Sequence, residues 1–124
     1  MAKRYITLPN RGHSLPFSDA VLVDDTLYVS GRIGIDPKTG LVPANVHDEL
    51  RFLFAGFEDV LAEAEMTMED LVYVQVYCPD LSLFDTFNVA YRQYFSQEFP
   101  ARAFLGSGPL LLNARFEMIG IGKK

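Results

Sequence analysis

The stretch Leu71-Val72-Tyr73-Val74-Gln75-Val76-Tyr77-Cys78 constrains this chain more than any other segment. β-Branched and aromatic residues dominate it, which is the composition of a strand. Side chains alternate across a strand, so Val72, Val74, Val76 and Cys78 share one face and Tyr73, Gln75 and Tyr77 the other. A strand that is at least half apolar on both faces is predicted to lie inside a sheet, covered on either side. Pro79 ends its ladder, because proline has no N–H to donate.

Two helical stripes flank that strand. Asn45 is placed to cap a helix whose first turn carries Asp48 and Glu49. Val46, Leu50, Leu53, Phe54, Phe57, Val60, Leu61 and Ala64 then recur at helical spacing, giving a helix of about five turns. Thr67-Met68-Glu69-Asp70 reads as a capping-box turn, and Ser82 with Asp85 as a second one. Phe84, Phe87, Tyr91, Tyr94 and Phe95 continue a second stripe, predicting a helix that runs to about Phe95.

The other strands are shorter. Tyr5 to Leu8 is expected as a first strand, followed by a turn-rich loop from Pro9 to Ser14. Ala20–Val23 and Thr26–Ser30 form a hairpin across Asp24-Asp25. Gly31 ends the clear strand signal, and Asp36 to Gly40 is a turn. Ala101 to Leu105 follows Pro100 as a short strand, Gly106 to Pro109 is a loop, and the last strand spans about Ala114 to Ile121. The order β-β-β-α-β-α-β-β predicts an α+β fold, a single sheet with two helices packed on one face. At 124 residues it fits one domain spanning 1–124. The second sheet face, with Tyr73, Gln75 and Tyr77, is too apolar to stand in water, so self-association is expected there. Ten Phe and six Tyr without a Trp fit apolar area shared between subunits, or an aromatic core within one.

Charge and motifs then narrow the function. The net charge of −5 argues against nucleic-acid binding, which needs a basic surface. No run approaches the ~18 apolar residues of a membrane span. Cys78 is the sole cysteine and no apolar leader follows Lys3 and Arg4, so a cytoplasmic protein is expected. Phosphate loops, HExxH and GxSxG are absent. His13 and His47 lack a second ligand at metal-binding spacing, so no metal is expected. Cys78 reads as a core residue.

Two charges stand out. Arg102 sits inside Pro100-Ala101-Arg102-Ala103-Phe104-Leu105 and Glu117 inside Phe116-Glu117-Met118-Ile119. Charges in apolar strands are seldom buried unpaired. They are either a structural ion pair, edge charges that resist aggregation, or a site. In the last case Arg102 offers its planar fork to a carboxylate and Glu117 holds a water.

Leu15-Pro16-Phe17-Ser18-Asp19-Ala20-Val21, the run from Val29 to Gly40 with Asp36-Pro37-Lys38-Thr39-Gly40, and Phe99-Pro100-Ala101-Arg102-Ala103 resemble the Rid/YjgF imine deaminases, also called the endoribonuclease L-PSP family. So do Val72 to Tyr77 and Leu83 to Tyr91, and the likeness covers nearly the whole chain. It implies a chorismate-mutase-like homotrimer with mixed sheets and clefts between subunits. It also implies cofactor-free hydrolysis of 2-imino acids such as 2-iminobutanoate and 2-iminopropanoate to keto acids and ammonia. Those imines arise from pyridoxal-phosphate enzymes, hence an expected functional link to them. By the same resemblance Arg102 grips the carboxylate and Glu117 attends the attacking water. Ser30, Gly31 and Asn88 line the pocket; beside the resemblance, backbone groups near Gly31 and Ala103 are expected to hold substrate and water. Phe17 replaces a family tyrosine and Phe104 a common cysteine, which makes the pocket drier and narrower. Arg32 stands where a neutral residue is common and offers a second cation for a dicarboxylate. A keto-acid or amino-acid sensor, an aminomuconate-type deaminase and an endoribonuclease are the alternatives.

Overall fold

A computed structural model describes residues 2–9 and 15–124. Of the loop expected over Pro9 to Ser14, residues 10–14, His13 included, lie outside the described residues. Strand β1 (Lys3–Ile6), β2 (Ala20–Val23) and β3 (Thr26–Ile33) precede helix α1 (Val46–Glu63). Then come β4 (Leu71–Cys78), helix α2 (Phe84–Arg92), β5 (Ala101–Gly106) and β6 (Glu117–Lys123). The strands form one sheet in the order β1-β2-β3-β6-β4-β5. β4 and β5 run parallel, and the other pairs are antiparallel. The sheet is therefore mixed, and β4 lies inside it as its two-faced pattern predicts.

One sheet face is covered by both helices. Leu50, Leu53, Phe54, Phe57, Val60 and Leu61 of α1 and Phe87 of α2 are buried against Val74, Val76 and Cys78 of β4 and Met118 of β6. No helix among the described residues covers the opposite face. A single register row, Tyr5, Val21, Tyr28, Ile121, Tyr73 and Ala101, crosses all six strands on that side. Tyr28 stays 51% exposed there. Tyr73 donates to Gln75 Oε1 (2.8 Å), and Gln75 Nε2 in turn bonds the Tyr77 hydroxyl.

Local structure agrees with the sequence at several points. Asn45 Oδ1 accepts from the backbone of His47 and Asp48, so the cap of α1 forms as expected. Thr67 and Asp70 make the capping box, here around a 3-10 turn. Asp36 accepts from the Lys38 N–H, and Gly40 takes φ +73°, which closes the loop after β3.

Other expectations are corrected. β1 begins two residues earlier than Tyr5 and ends at Ile6. β3 does not stop at Gly31. It gains an extra residue there, since Val29 pairs with Gly120 and Arg32 with Met118, and the bulge re-aims the side chains beyond it. A second bulge lets Leu71 and Tyr73 oppose the neighbouring residues Gly122 and Ile121 of β6. Leu71 therefore turns into the core while Val72, expected to share the buried face of Val74, is 48% exposed. Ser82 and Asp85 do not form a capping box. Asp80 caps the turn before α2 instead, accepting from the Ser82 backbone and hydroxyl. α2 ends at Arg92 rather than Phe95, although Phe95 is still buried beyond it. The last strand starts at Glu117 rather than Ala114, and in the segment before it the Arg115 N–H bonds the Glu49 carboxylate instead of a neighbouring strand.

Candidate active site

Arg102 leaves β5 on the helix-covered side. It is in register with the fully buried Val74, and paired residues point to the same face. α2 meets it there. Arg102 Nη2 donates to Asn88 Oδ1 at 2.8 Å. Its Cζ lies 4.7 Å from the ring centre of Tyr91, 5.4 Å from Phe104, 5.7 Å from Phe87 and 5.8 Å from Phe84. Four aromatic rings thus hold one guanidinium. Burial pushes its pKa below the ordinary arginine value, and the Tyr91 phenol opposes that shift. The group stays cationic, as arginines in proteins do.

Among the described residues no carboxylate pairs with Arg102. The Asn88 bond uses one of the five donors that a guanidinium carries. The structural ion pair with Glu117 that the sequence left open is not formed within the chain. What remains is a fixed, half-buried fork with unused donors, which is what bidentate binding of an acid requires.

Glu117 lies on the other side of the sheet. It pairs with Tyr77 and Ile33, alternates with the fully buried Met118, and faces the uncovered side. Its carboxylate rests on the backbone of Gly31. A Cβ at position 31 would collide with Glu117 Oε2, so glycine there leaves room for the acid. Ala103 shares this side, being in register with Gln75. Arg102 and Glu117 are three register positions apart along β4, about 10 Å, and on opposite faces.

The remaining expected site residues divide accordingly. Asn88 and Phe104 gather at Arg102, and Phe104 meets Phe84 edge-on at 5.0 Å. Ser30 turns its hydroxyl to the carbonyl of Ser18 (2.6 Å). Phe17 is 52% exposed in the segment before β2. Arg32 is drawn by the β3 bulge to the helix side, where Nη1 binds Asp19 Oδ1 at 3.1 Å. β6 and β4 separate β3 from β5, so the chain does not bring Arg32 to Arg102.

Sequence reasoning missed two features. Glu49, read as a first-turn charge, is fully buried and bound to Arg115 Nη1 at 2.6 Å. Tyr91, read as part of an apolar stripe, is 4% exposed, and its buried hydroxyl has no hydrogen-bond partner among the described residues. The stripe shows that position 91 is inside, but nothing in it reveals that its neighbour is a guanidinium. Among the described residues no cluster of His, Cys, Asp and Glu is placed to hold a metal. No helix among them is long and apolar enough to cross a membrane.

A mixed six-stranded sheet with two helices on one face, and at its edge an arginine that no acid among the described residues pairs with, defines a small α+β protein. Residues 11–123 match the family model described as endoribonuclease L-PSP, and the chain belongs to that family. It is 38% identical over 107 residues to the 2-iminobutanoate/2-iminopropanoate deaminase of Bos taurus, covering 86% of this chain and 78% of the relative. The crystal structure of RidA from an Antarctic Psychrobacter superposes with a TM-score of 0.88 at 25% identity, covering 98% of this chain and all of that one. E. coli TdcF with bound serine gives the same TM-score and identity, over 98% and 99% of the two chains.

Proposed function

We propose that the chain is a cofactor-free imine deaminase, hydrolysing small 2-imino acids to 2-keto acids and ammonia in clefts between the subunits of a homotrimer. The observation that carries this reading is Arg102. A half-buried guanidinium is oriented by a neutral amide and boxed by aromatic rings, yet no acid among the described residues pairs with it. Relatives named as 2-iminobutanoate/2-iminopropanoate deaminases support it, as does the serine bound in a protein of the same fold.

In this mechanism the substrate carboxylate takes two parallel hydrogen bonds from Arg102. That fixes the C=N carbon in reach of a water and supplies catalysis by positioning. Glu117 accepts the water's proton as oxygen bonds to carbon. Glu117 returns that proton to the imine nitrogen, giving a carbinolamine. It then takes the hydroxyl proton as the C=O bond forms and delivers it to the departing nitrogen, so ammonia leaves with one hydrogen from the imine and two from the water. Because one chain holds Arg102 and Glu117 on opposite faces, the uncovered face of a second copy supplies the Glu117 side of each cleft. The row through Tyr28, Ile121 and Tyr73, on the sheet face that no helix among the described residues covers, is the surface buried on assembly. The imine comes from pyridoxal-phosphate enzymes acting in the same cytoplasm.

The test generates 2-iminobutanoate in situ with a pyridoxal-phosphate threonine dehydratase and follows its conversion to 2-oxobutanoate. The native chain accelerates the hydrolysis, and Arg102→Ala does not. Equal rates from both proteins defeat the proposal, and keto-acid binding without turnover identifies a sensor instead.

A further inference from the structure

The hydroxyl of Tyr91 has no structural task among the described residues. The residue is 4% exposed, its phenolic oxygen is buried, and that oxygen makes no hydrogen bond to any of them. Buried phenols almost always find a partner, and an exception points to strain or to a ligand. Packing does not call for the oxygen. The ring lies 5.6 Å from Phe87, 4.8 Å from Phe95 and 6.2 Å from Phe54, contacts that a phenylalanine at this position would make equally well.

Its surroundings suggest what the oxygen serves. Of the four rings around the guanidinium, that of Tyr91 is the nearest to Arg102 Cζ. Asn88 precedes Tyr91 by three residues on α2, so one face of the helix presents both side chains to the same cation. Asn88 contributes an acceptor, which orients the fork. A phenol beside that fork contributes an O–H, which complements the oxygen of an acid seated on it.

We propose that the Tyr91 hydroxyl is a substrate-binding donor, giving a third hydrogen bond to the carboxylate that Arg102 grips. This rests on the reading of Arg102 as a carboxylate site. Burial raises the phenol to a pKa of about 12, so the group keeps its proton at any physiological pH. The donor is neutral and remains after the cation's charge is matched by the acid. It therefore tightens the hold on a monocarboxylate without adding charge to the pocket.

Tyr91→Phe removes the oxygen and leaves the ring. Titration calorimetry with 2-oxobutanoate, imine-hydrolysis kinetics and thermal denaturation are run on native protein, Tyr91→Phe and Arg102→Ala. The expected result for Tyr91→Phe is a Kd and a KM raised about tenfold, with kcat changed much less and a Tm at or above the native value. A merely structural phenol would move Tm and leave Kd unchanged. Unchanged Kd and KM in Tyr91→Phe overturn the proposal even if Arg102→Ala is inactive. Weakened keto-acid binding by Tyr91→Phe in a protein that hydrolyses no imine upholds Tyr91 and removes the deaminase reading. Native protein that binds no keto acid removes both.

Discussion

The guanidinium of Arg102 donates to Asn88 Oδ1 at 2.8 Å, and this amide is its sole side-chain hydrogen-bond partner among the described residues. An amide oxygen fixes the direction of the fork without neutralising it, as a carboxylate would. Hydrogen bonds to a charged group contribute about 1.5–3 kcal/mol. Asn88→Ala is therefore expected to raise KM for an imino acid about tenfold or more, with a smaller fall in kcat. Tm should change little, because Asn88 is half-buried and alanine is a better helix former. Steady-state kinetics beside a melting curve decide it, and a native KM would show that the fork needs no tether.

The proposed clefts between copies make a prediction about mixtures. On that proposal Arg102→Ala and Glu117→Gln each inactivate the homotrimer. In trimers assembled at random from equal amounts of the two, about a quarter of clefts shared between copies carry both native groups. Co-expressed variants should thus recover about a quarter of native activity if Arg102 and Glu117 come from different copies. They recover none if both come from one chain, since no chain then carries both. Activity of the purified mixed trimers separates these cases.

Much of the scaffold was legible because it depends on local pattern. The α1 stripe, the Asn45 cap, the Asp24-Asp25 hairpin and the interior position of β4 come from spacing and turn chemistry. Arg102 announced itself as a charge among apolar neighbours. The failures depend on partners distant in sequence. Gly31 looks like a strand end but is a bulge that accommodates Glu117, 86 residues later. Val72 sits in a perfect alternation that a bulge on β4 interrupts. The opposite orientation of Arg102 and Glu117 depends on strand register, which patterning does not reveal when both strands are short.

Glu49 was invisible for the same reason, and its pairing yields a stability prediction. Its carboxylate is fully buried and accepts from Arg115 Nη1 at 2.6 Å and from the Arg115 backbone at 2.7 Å. Arg115 also donates to the carbonyls of Pro43 and Ala44, tying the start of α1 to the entry of β6. Removing one member of a buried pair costs about 3–5 kcal/mol, because the other charge is left uncompensated. Arg115→Met should lower Tm by roughly 10–20 °C. Replacing both, as Glu49→Leu with Arg115→Met, should regain most of that loss. Melting curves of the two proteins check this, and a double variant no better than the single one would count against it.

Tyr91 gives the alkaline limit of stability. Burial is the largest influence on its phenol and raises the pKa from 10.0 to about 12, with Arg102 pulling the other way. The unfolded chain loses this proton near pH 10, while the folded chain holds it to about pH 12. In that window the folded state binds more protons, so stability falls as pH rises. Tyr91's contribution is fully present below pH 10 and is lost through the folded pKa. A shift of this size corresponds to about 2–3 kcal/mol. Urea midpoints measured at pH 9 and pH 11 should therefore drop more steeply for the native protein than for Tyr91→Phe, while tyrosines common to both cancel in the comparison. Parallel losses in the two proteins would mean that the phenol ionises as readily in the fold as outside it.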